Sequence, residues 1–472
     1  MSVQPTTGRS GKLLKDIGIY AIGNLGSKLV TFMLVPLYTF YICPAEFGYY
    51  DICLTAIFML MPFLSLQLRD GAFRFLVDAD NVFRKRAIVT FVYKTLFRNS
   101  IVCILIGAFI YIFSSVQYLW LLVVLLIVMS AYEVIIQVVR GLGNTKYFVV
   151  AGIVSSLFIG VFSILFVVIF KLGIEGVFYA NILARFITIL FLELRLKVIK
   201  KYFGYNFNDS KTNKEILSYC LPLLPGAICW WLVGSSNKFF IEHYLGLDEN
   251  GLYAVALKFT SILETIAFIF YQAWQETAIR QYSSPDRNRF FSSIINNYLF
   301  VLIACVILFS FALKLNYGWL VEHEYQLSVN YIYPLAVSAM FFSLSAFYDM
   351  GYQCSKKTIY TLPGIVLASI VNIIGNYFLI QYYGVYGIIG SSILTFATLF
   401  IYRTFDTRKF FNITFSKRVI LFVVLLVVSG VTYYCLQSLM LNIVYIACVI
   451  IILAFIAPPD VKNMVRNRLL KL

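Results

Sequence analysis

Charge is scarce in this sequence. Of 472 residues only 13% are Asp, Glu, Lys or Arg, against roughly 25% in soluble domains, while 61% are hydrophobic. A chain so poor in charge cannot clothe a set of soluble domains. Histidine is nearly absent, with only His243 and His323. Both stand beside acidic residues in expected outer loops, so no histidine-based metal site inside a membrane is expected. The nine cysteines form no CxxC pair and no metal-ligand spacing, and their odd number argues against a closed disulfide framework. They read as small hydrophobes in apolar runs. No metal and no cofactor are expected, and no loop is long enough to hold an extramembrane domain.

Long apolar runs are plentiful. Windows of about 20 apolar residues place fourteen spans near 17–42, 47–68, 91–113, 117–139, 147–170, 175–194, 216–241, 251–276, 291–313, 329–352, 359–380, 385–402, 419–437 and 441–458. The opening "MSVQPTTGRSGKLLKD" is polar and basic without a small-residue cleavage site, so the first run reads as a retained helix rather than a signal peptide. The formal charge of +16 could suggest a nucleic-acid partner, but its distribution points to topology instead. With the N-terminus cytoplasmic, 30 of the 38 Lys and Arg fall on that side, against Lys171 and Lys314 opposite. This is the positive-inside pattern. It predicts an even number of spans, with both termini cytoplasmic in a bacterial plasma (inner) membrane.

The chain also repeats itself. "AEFGYYD" (45–51) opens the second span and "ENGLYAV" (249–255) the eighth, with Gly48 and Gly251 203 residues apart. "KLGIEGVFYANIL" (171–183) enters the sixth span and "YYGVYGIIGSSIL" (382–394) the twelfth, pairing Gly173 with Gly384 and Gly176 with Gly387, each 211 apart. A duplicated unit of six spans gives two copies pointing the same way, related by an axis along the membrane normal. The expected organisation is an N-lobe (1–194), a basic cytoplasmic linker (195–214), a C-lobe (215–402), and a terminal segment (403–472) with spans thirteen and fourteen and a basic tail.

Several of these features together resemble a known family. They are Pro36 in the first span, "FGYY" opening the second, "LRDGAFRF" (68–75) at its inner end, "LPLLPG" (221–226) starting the seventh, and the two GxxG turns. Over roughly residues 15–402 the chain resembles the Wzx-type polysaccharide flippases, for O-antigen or capsule repeat units, of the multidrug, oligosaccharidyl-lipid and polysaccharide exporter superfamily. The resemblance implies an all-α polytopic fold of two six-helix lobes around a central cavity. It also implies translocation of polyprenyl-diphosphate-linked (undecaprenyl diphosphate) oligosaccharide from the cytoplasmic to the outer leaflet. Many such flippases have twelve spans; the extra pair here is similar to that of lipid II flippases, where a neighbouring groove is thought to take the polyprenyl tail.

Six cations fall inside or at the ends of spans: Lys28, Lys94, Arg98, Arg185, Lys238 and Lys258. A charge at the centre of a membrane helix costs roughly 2.5–3.5 kcal/mol on insertion scales. Lys28 shares a helical stripe with Asn24 and Thr31, and Arg185 shares one with Asn181 and Thr188. Such stripes belong against protein or water rather than lipid. For Lys28 the alternatives are a substrate contact and an internal pair, with a carboxylate or with backbone freed near Pro36. For Arg185 they are a bidentate phosphate contact and a pair with Glu133. Lys258 could meet a ligand or join a network with Glu264, and Lys238 could pair with Glu242 at i,i+4. Lys94 and Arg98 read as interfacial. Arg69 and Arg74 stand at the inner mouth of the second span, as positive-inside anchors that an entering diphosphate would also meet. Glu133, Glu264 and Asp51 are candidates for coupling to a proton or sodium gradient.

The leading expectation is therefore a flippase working by alternating access through a cation-lined cavity. Its partners would be the lipid-linked oligosaccharide and membrane lipids, and a polysaccharide polymerase and glycosyltransferases of the same route. A cation-coupled multidrug exporter of the same plan fits less well, because cations outnumber acids at mid-depth. A membrane enzyme such as a polysaccharide polymerase or ligase would need acid–base residues in a sizeable outer loop. Only Glu322 and His323 offer that chemistry, and a solvated loop accounts for them. No catalytic residue is expected.

Overall fold

A computed structural model describes residues 33–204, 209–355, 357–459 and 462; Lys28 and Asn24 lie outside the described residues. Among these residues every regular element is helical, as a hydrocarbon solvent demands, since it offers backbone N–H and C=O groups no partner. Twelve helical segments among them are long and apolar enough to cross a membrane. One of them, Thr361–Lys409, has 49 residues. At about 1.5 Å per residue it would reach roughly 74 Å, far beyond a core of about 30 Å. It turns back at Gly384, where φ is 55° and ψ −135°, and so supplies two crossings. The described residues thus hold thirteen candidate crossings; of the first expected span only its end, helix α1 (33–41), is described.

The chain forms two compact units, Met1–Trp231 and Leu232–Leu472. The division falls inside a helix, beyond the basic linker. Helix α9 (Ser210–Cys220) packs on α3 (Leu68–Val77) and α4 (Val82–Phe113), whereas Val233 packs with Ala368 and Leu399.

In the first unit α2 (Pro44–Ser65) contains Pro62 and stops at Leu66 and Gln67, two successive non-glycine residues at positive φ (48° and 55°). Left-handed backbone crowds an L side chain, and the helical ladder ends there. Gln67 N–H still donates to the Pro62 carbonyl (3.2 Å), and the Asn99 side-chain amide donates to the Leu64 carbonyl (2.8 Å). The chain resumes as α3, whose Leu68, Ala72 and Leu76 are buried against α5 (Leu119–Gly141) and α9. Helix α6 (Thr145–Ser163) ends in a π turn (Ile164–Ile169) and reverses at Gly173 (φ 54°) into α7 (Gly173–Leu196). Next to this turn is Gly176, where a Cβ would stand 3.1 Å from the Phe166 carbonyl.

The second unit repeats this turn. Gly384 matches Gly173 in φ, and Gly387 packs against the Leu379 backbone as Gly176 does against Phe166. Each pair is 211 residues apart, so the sequence repeat is a repeat of backbone geometry. Helices α11 (Asn237–Leu245), α12 (Leu247–Gln281), α13 (Arg287–Leu320), α14 (Val329–Cys354) and α15 (Thr361–Asp406) build this unit around stacked aromatics, with Trp274 on Phe347 at 4.4 Å and Phe270 on Tyr298 at 3.7 Å. Helices α16 (Arg418–Cys435) and α17 (Leu439–Ile456) pack on α13. Lys314, expected as an outer-loop cation, belongs to α13. Its ammonium donates to the Tyr433 carbonyl and to that of Leu436 (2.6 Å), satisfying the free carbonyl end of α16.

The reversal at Gly384 gives a direct test. Gly384→Ala places an L side chain in a backbone region close to glycine-only and is expected to cost about 1–3 kcal/mol. Gly390→Ala, with open space at its Cβ, is expected to be neutral or slightly stabilising. Thermal unfolding of the purified protein in detergent measures both; equal melting temperatures would contradict the assigned turn.

Candidate functional site

Polar side chains in a membrane helix need partners, and in the first unit they collect around α7. Asn181 is buried on α7, one turn before Arg185. The guanidinium Nη1 donates to Asn181 Oδ1 (2.7 Å) and to its carbonyl (3.1 Å). Asn181 in turn donates to the Tyr50 hydroxyl on α2 (3.2 Å) and to the Val177 carbonyl (2.8 Å). The Tyr38 hydroxyl of α1 pairs with Ser163 of α6 at 2.8 Å. Tyr38, Tyr50, Tyr132 and Glu133 all lie within electrostatic range of Arg185. Among the described residues no carboxylate closes an ion pair with it. The half-buried guanidinium is held by an amide and has three tyrosines nearby.

Glu133 instead meets Arg69. Arg69 Nη1 is 3.5 Å from Glu133 Oε2, and its Nε is 3.6 Å from Asp70 Oδ1. The break at Leu66 and Gln67 makes this meeting possible, because it turns α3 so that its first residues face α5. Ser65, Gln67, Arg69, Asp70, Ser130 and Glu133 line a cavity of about 490 Å³ with Trp230 and Gly226 of α10 (Leu224–Ser235). Trp231 fixes α10 there, its indole N–H donating to the Thr55 carbonyl (3.0 Å). Arg74 is outside this lining and pairs with Asp78 at 2.5 Å.

The other sequence candidates are dispersed. Asp51 is buried on α2. Lys238, partly buried, lies on α11, and Lys258, also partly buried, lies on α12, where Glu264 is exposed. The second unit has a polar cluster of its own. Asn237 donates to Tyr253 (3.1 Å) and Ser392 (2.8 Å) and accepts from Asn376 (2.8 Å) and Asn372 (3.3 Å). Ser236 donates to Asn372 (2.9 Å). All are buried and all are neutral. Sequence reasoning passed over them, although Asn372 and Asn376 stand one turn apart in an apolar run.

It also missed Arg403, counted as a loop anchor. Arg403 is 3% exposed; its Nη2 is 3.2 Å from Asp349 and its Nη1 donates to the Ser345 carbonyl (3.0 Å). Asp349 accepts from Gln353 (2.8 Å), which also meets Tyr271 and Gln275 at 2.7 Å. A separate apolar cavity of about 300 Å³, lined by Leu263, Phe270, Val301 and Met340 among others, opens between α12, α13 and α14.

The family profile described as "Polysaccharide biosynthesis protein" matches residues 13–275, more than half the chain. The chain belongs to this family. It is thereby a member of the multidrug, oligosaccharidyl-lipid and polysaccharide exporter superfamily. No curated protein matches it. Among solved structures, the fold of this family member is similar to the lipid II flippase MurJ in an inward closed conformation, at 12% identity and TM-score 0.70. That likeness covers 96% of this chain and 100% of the other. It is also similar to an inward-facing multidrug resistance MATE family transporter at 13% identity and TM-score 0.64, covering 83% and 98%. A point mutant of the Vibrio cholerae MATE transporter VcmN gives 14% identity and TM-score 0.50 over 86% and 97%. At such identities these likenesses are of fold. The chain is thus a multi-pass membrane protein with the architecture of transporters and flippases.

The Arg403–Asp349 pair predicts a stability effect separable from transport. Asp349→Ala leaves a buried guanidinium without its counter-charge and is expected to destabilise the protein by about 3 kcal/mol. Asp349→Ala with Arg403→Leu is expected to recover part of that loss. Denaturant unfolding in detergent across the four-member cycle checks this; additive single effects would show that the pair is not coupled.

Proposed function

We propose that this protein is a Wzx-type flippase that carries polyprenyl-diphosphate-linked oligosaccharide repeat units from the cytoplasmic to the outer leaflet of a bacterial inner membrane by alternating access. The observation that carries this reading is Arg185, a guanidinium in a membrane-spanning helix, held by the neutral Asn181 and without a carboxylate partner among the described residues. A planar fork with free N–H donors in a partly dry site is suited to a diphosphate. Lys28 and Lys258, on the same reading, add positive charge along the path.

The membership in a polysaccharide biosynthesis family supports the substrate class, and a polymerase and glycosyltransferases of the same route are the partners this reading proposes. The fold likeness to the lipid II flippase MurJ extends over 96% of this chain, against 83% for the MATE transporter. The apolar cavity on α12, α13 and α14 has the chemistry of a hydrocarbon chain and would take part of the polyprenyl tail. Nothing in this route makes or breaks a covalent bond, and both termini stay on the cytoplasmic side.

The test is translocation of a fluorescent polyprenyl-diphosphate oligosaccharide by purified protein in vesicles. Losing a charge-assisted hydrogen bond worth about 1.5–3 kcal/mol, Arg185→Ala is expected to slow flipping by roughly 10- to 100-fold. Arg185→Lys is expected to keep part of the rate, and Lys28→Ala to lower it. Wild-type rates in Arg185→Ala and Lys28→Ala together would refute these roles.

A further inference from the structure

The cavity at the α2–α3 break has a different chemistry from the Arg185 cluster. Its charged lining residues are Arg69, Asp70 and Glu133, one cation and two acids. The Arg69 guanidinium already faces both carboxylates, at 3.5 and 3.6 Å. A diphosphate entering here would meet net negative charge and an occupied arginine. Ser130 is 1% exposed, lines the cavity and has no hydrogen-bond partner for its hydroxyl. A buried hydroxyl with nothing to bond to costs free energy, and one facing a cavity is satisfied by what enters. The same lining includes the exposed side chain of Trp230. An aromatic face together with carboxylate, guanidinium, amide and hydroxyl groups is the complement of a pyranose. Such a sugar has apolar C–H faces for the ring and equatorial hydroxyls for planar polar partners. The volume, about 490 Å³, equals that of about sixteen waters at roughly 30 Å³ each; a single hexopyranose has fewer heavy atoms than that.

The geometry points to a saccharide subsite: the cavity bounded by Ser130, Glu133, Arg69 and Trp230 binds an uncharged pyranose unit of the substrate, apart from the cation that meets the diphosphate. Trp230 stacks on the sugar face. Glu133 and Arg69 take hydroxyls in the acceptor and donor senses, and Ser130 gains its missing partner. This deepens the flippase reading and rests on it for the identity of the cargo, but the subsite stands or falls by its own binding.

The experiment is saturation-transfer NMR on the full-length protein in lipid nanodiscs. The probes are the methyl glycosides of a hexose, a 6-deoxyhexose and an N-acetylhexosamine, and the competitor is inorganic pyrophosphate at equal concentration. At least one glycoside is expected to show transfer to its ring protons and to survive pyrophosphate. Trp230→Ala is expected to weaken its binding by about tenfold or more, and Trp230→Phe, which keeps an aromatic face, by no more than about threefold. Ser130→Ala and Glu133→Gln, which preserve shape, are expected to weaken it as well. The subsite is overturned if no glycoside binds, if pyrophosphate displaces it, or if Trp230→Ala binds like wild type. Absent glycoside binding with intact, Arg185-dependent flipping would remove the subsite and leave the transport reading standing; lost flipping control at Arg185 with intact glycoside binding would do the reverse.

Discussion

The hydrocarbon interior supplies no hydrogen bonds, and that single constraint organises both units. A polar group within a span must find a protein partner, a wet cavity or a ligand. Most groups here find protein. Lys314 turns to the carbonyl end of α16, Arg403 to Asp349 and Ser345, and the asparagine and serine side chains of the second unit to one another and to Tyr253. Against this background the incompletely satisfied groups stand out. Arg185 is one, with a fork only partly engaged; Ser130 is another. The second unit has such groups too, among them the hydroxyls of Ser310 and Tyr348 and the side-chain oxygen of Asn376.

The repeat sharpens that contrast. Tyr50 and Tyr253 are 203 residues apart, and each hydroxyl accepts from an asparagine, Asn181 in one unit and Asn237 in the other. At the 211-residue offset that relates the two turns, Asn181 corresponds to Ser392 and Arg185 to Phe396. Both units thus hold a phenol–amide contact, made from different helices, but at the matching position the second unit has Phe396 in place of the cation. Around Ser392 the second unit has a neutral cluster of Asn237, Asn372 and Asn376, which joins helices by hydrogen bonds without a formal charge. The first unit has a charge, Arg185, at the corresponding position, and on the proposed function that difference would separate binding from structural bonding.

Much of this was legible in the sequence because it follows from one-dimensional patterns. Apolar run length gave the crossings, and the paired glycines gave the turns, whose positive φ and close backbone approach explain why glycine stands there. The stripe placed Asn181 and Arg185 on one helical face, where residues four apart are neighbours, but their hydrogen bond was not among the alternatives weighed for Arg185. What escaped depends on three-dimensional pairing. Glu133 was an alternative partner for Arg185, but the backbone break at Leu66 and Gln67 brings Arg69 to it instead. Neither residue carries the glycine or proline that usually announces a break; Pro62, a turn earlier, was the only signal. Arg403 was sorted with the loop because it follows the last apolar run of its lobe, yet its partner Asp349 lies 54 residues earlier. Hydropathy windows cannot see such a pair.

On the proposed function a carrier must also let go of its diphosphate, and the arrangement around Arg185 bears on that. A guanidinium with no protein partner would gain so much from a diphosphate that release would become slow, whereas one bridged to a carboxylate would gain little. Asn181 gives an intermediate: it satisfies part of the desolvated fork with a neutral acceptor at 2.7 Å and leaves the formal charge intact. A ligand shifts a conformational equilibrium only by its differential affinity for the two states. Moderate binding that changes with the surroundings of one side chain therefore serves alternating access better than tight binding in both states. The tyrosines around Arg185 fit that requirement, because hydroxyls can accept from the guanidinium when the anion has gone and donate to the anion when it is present.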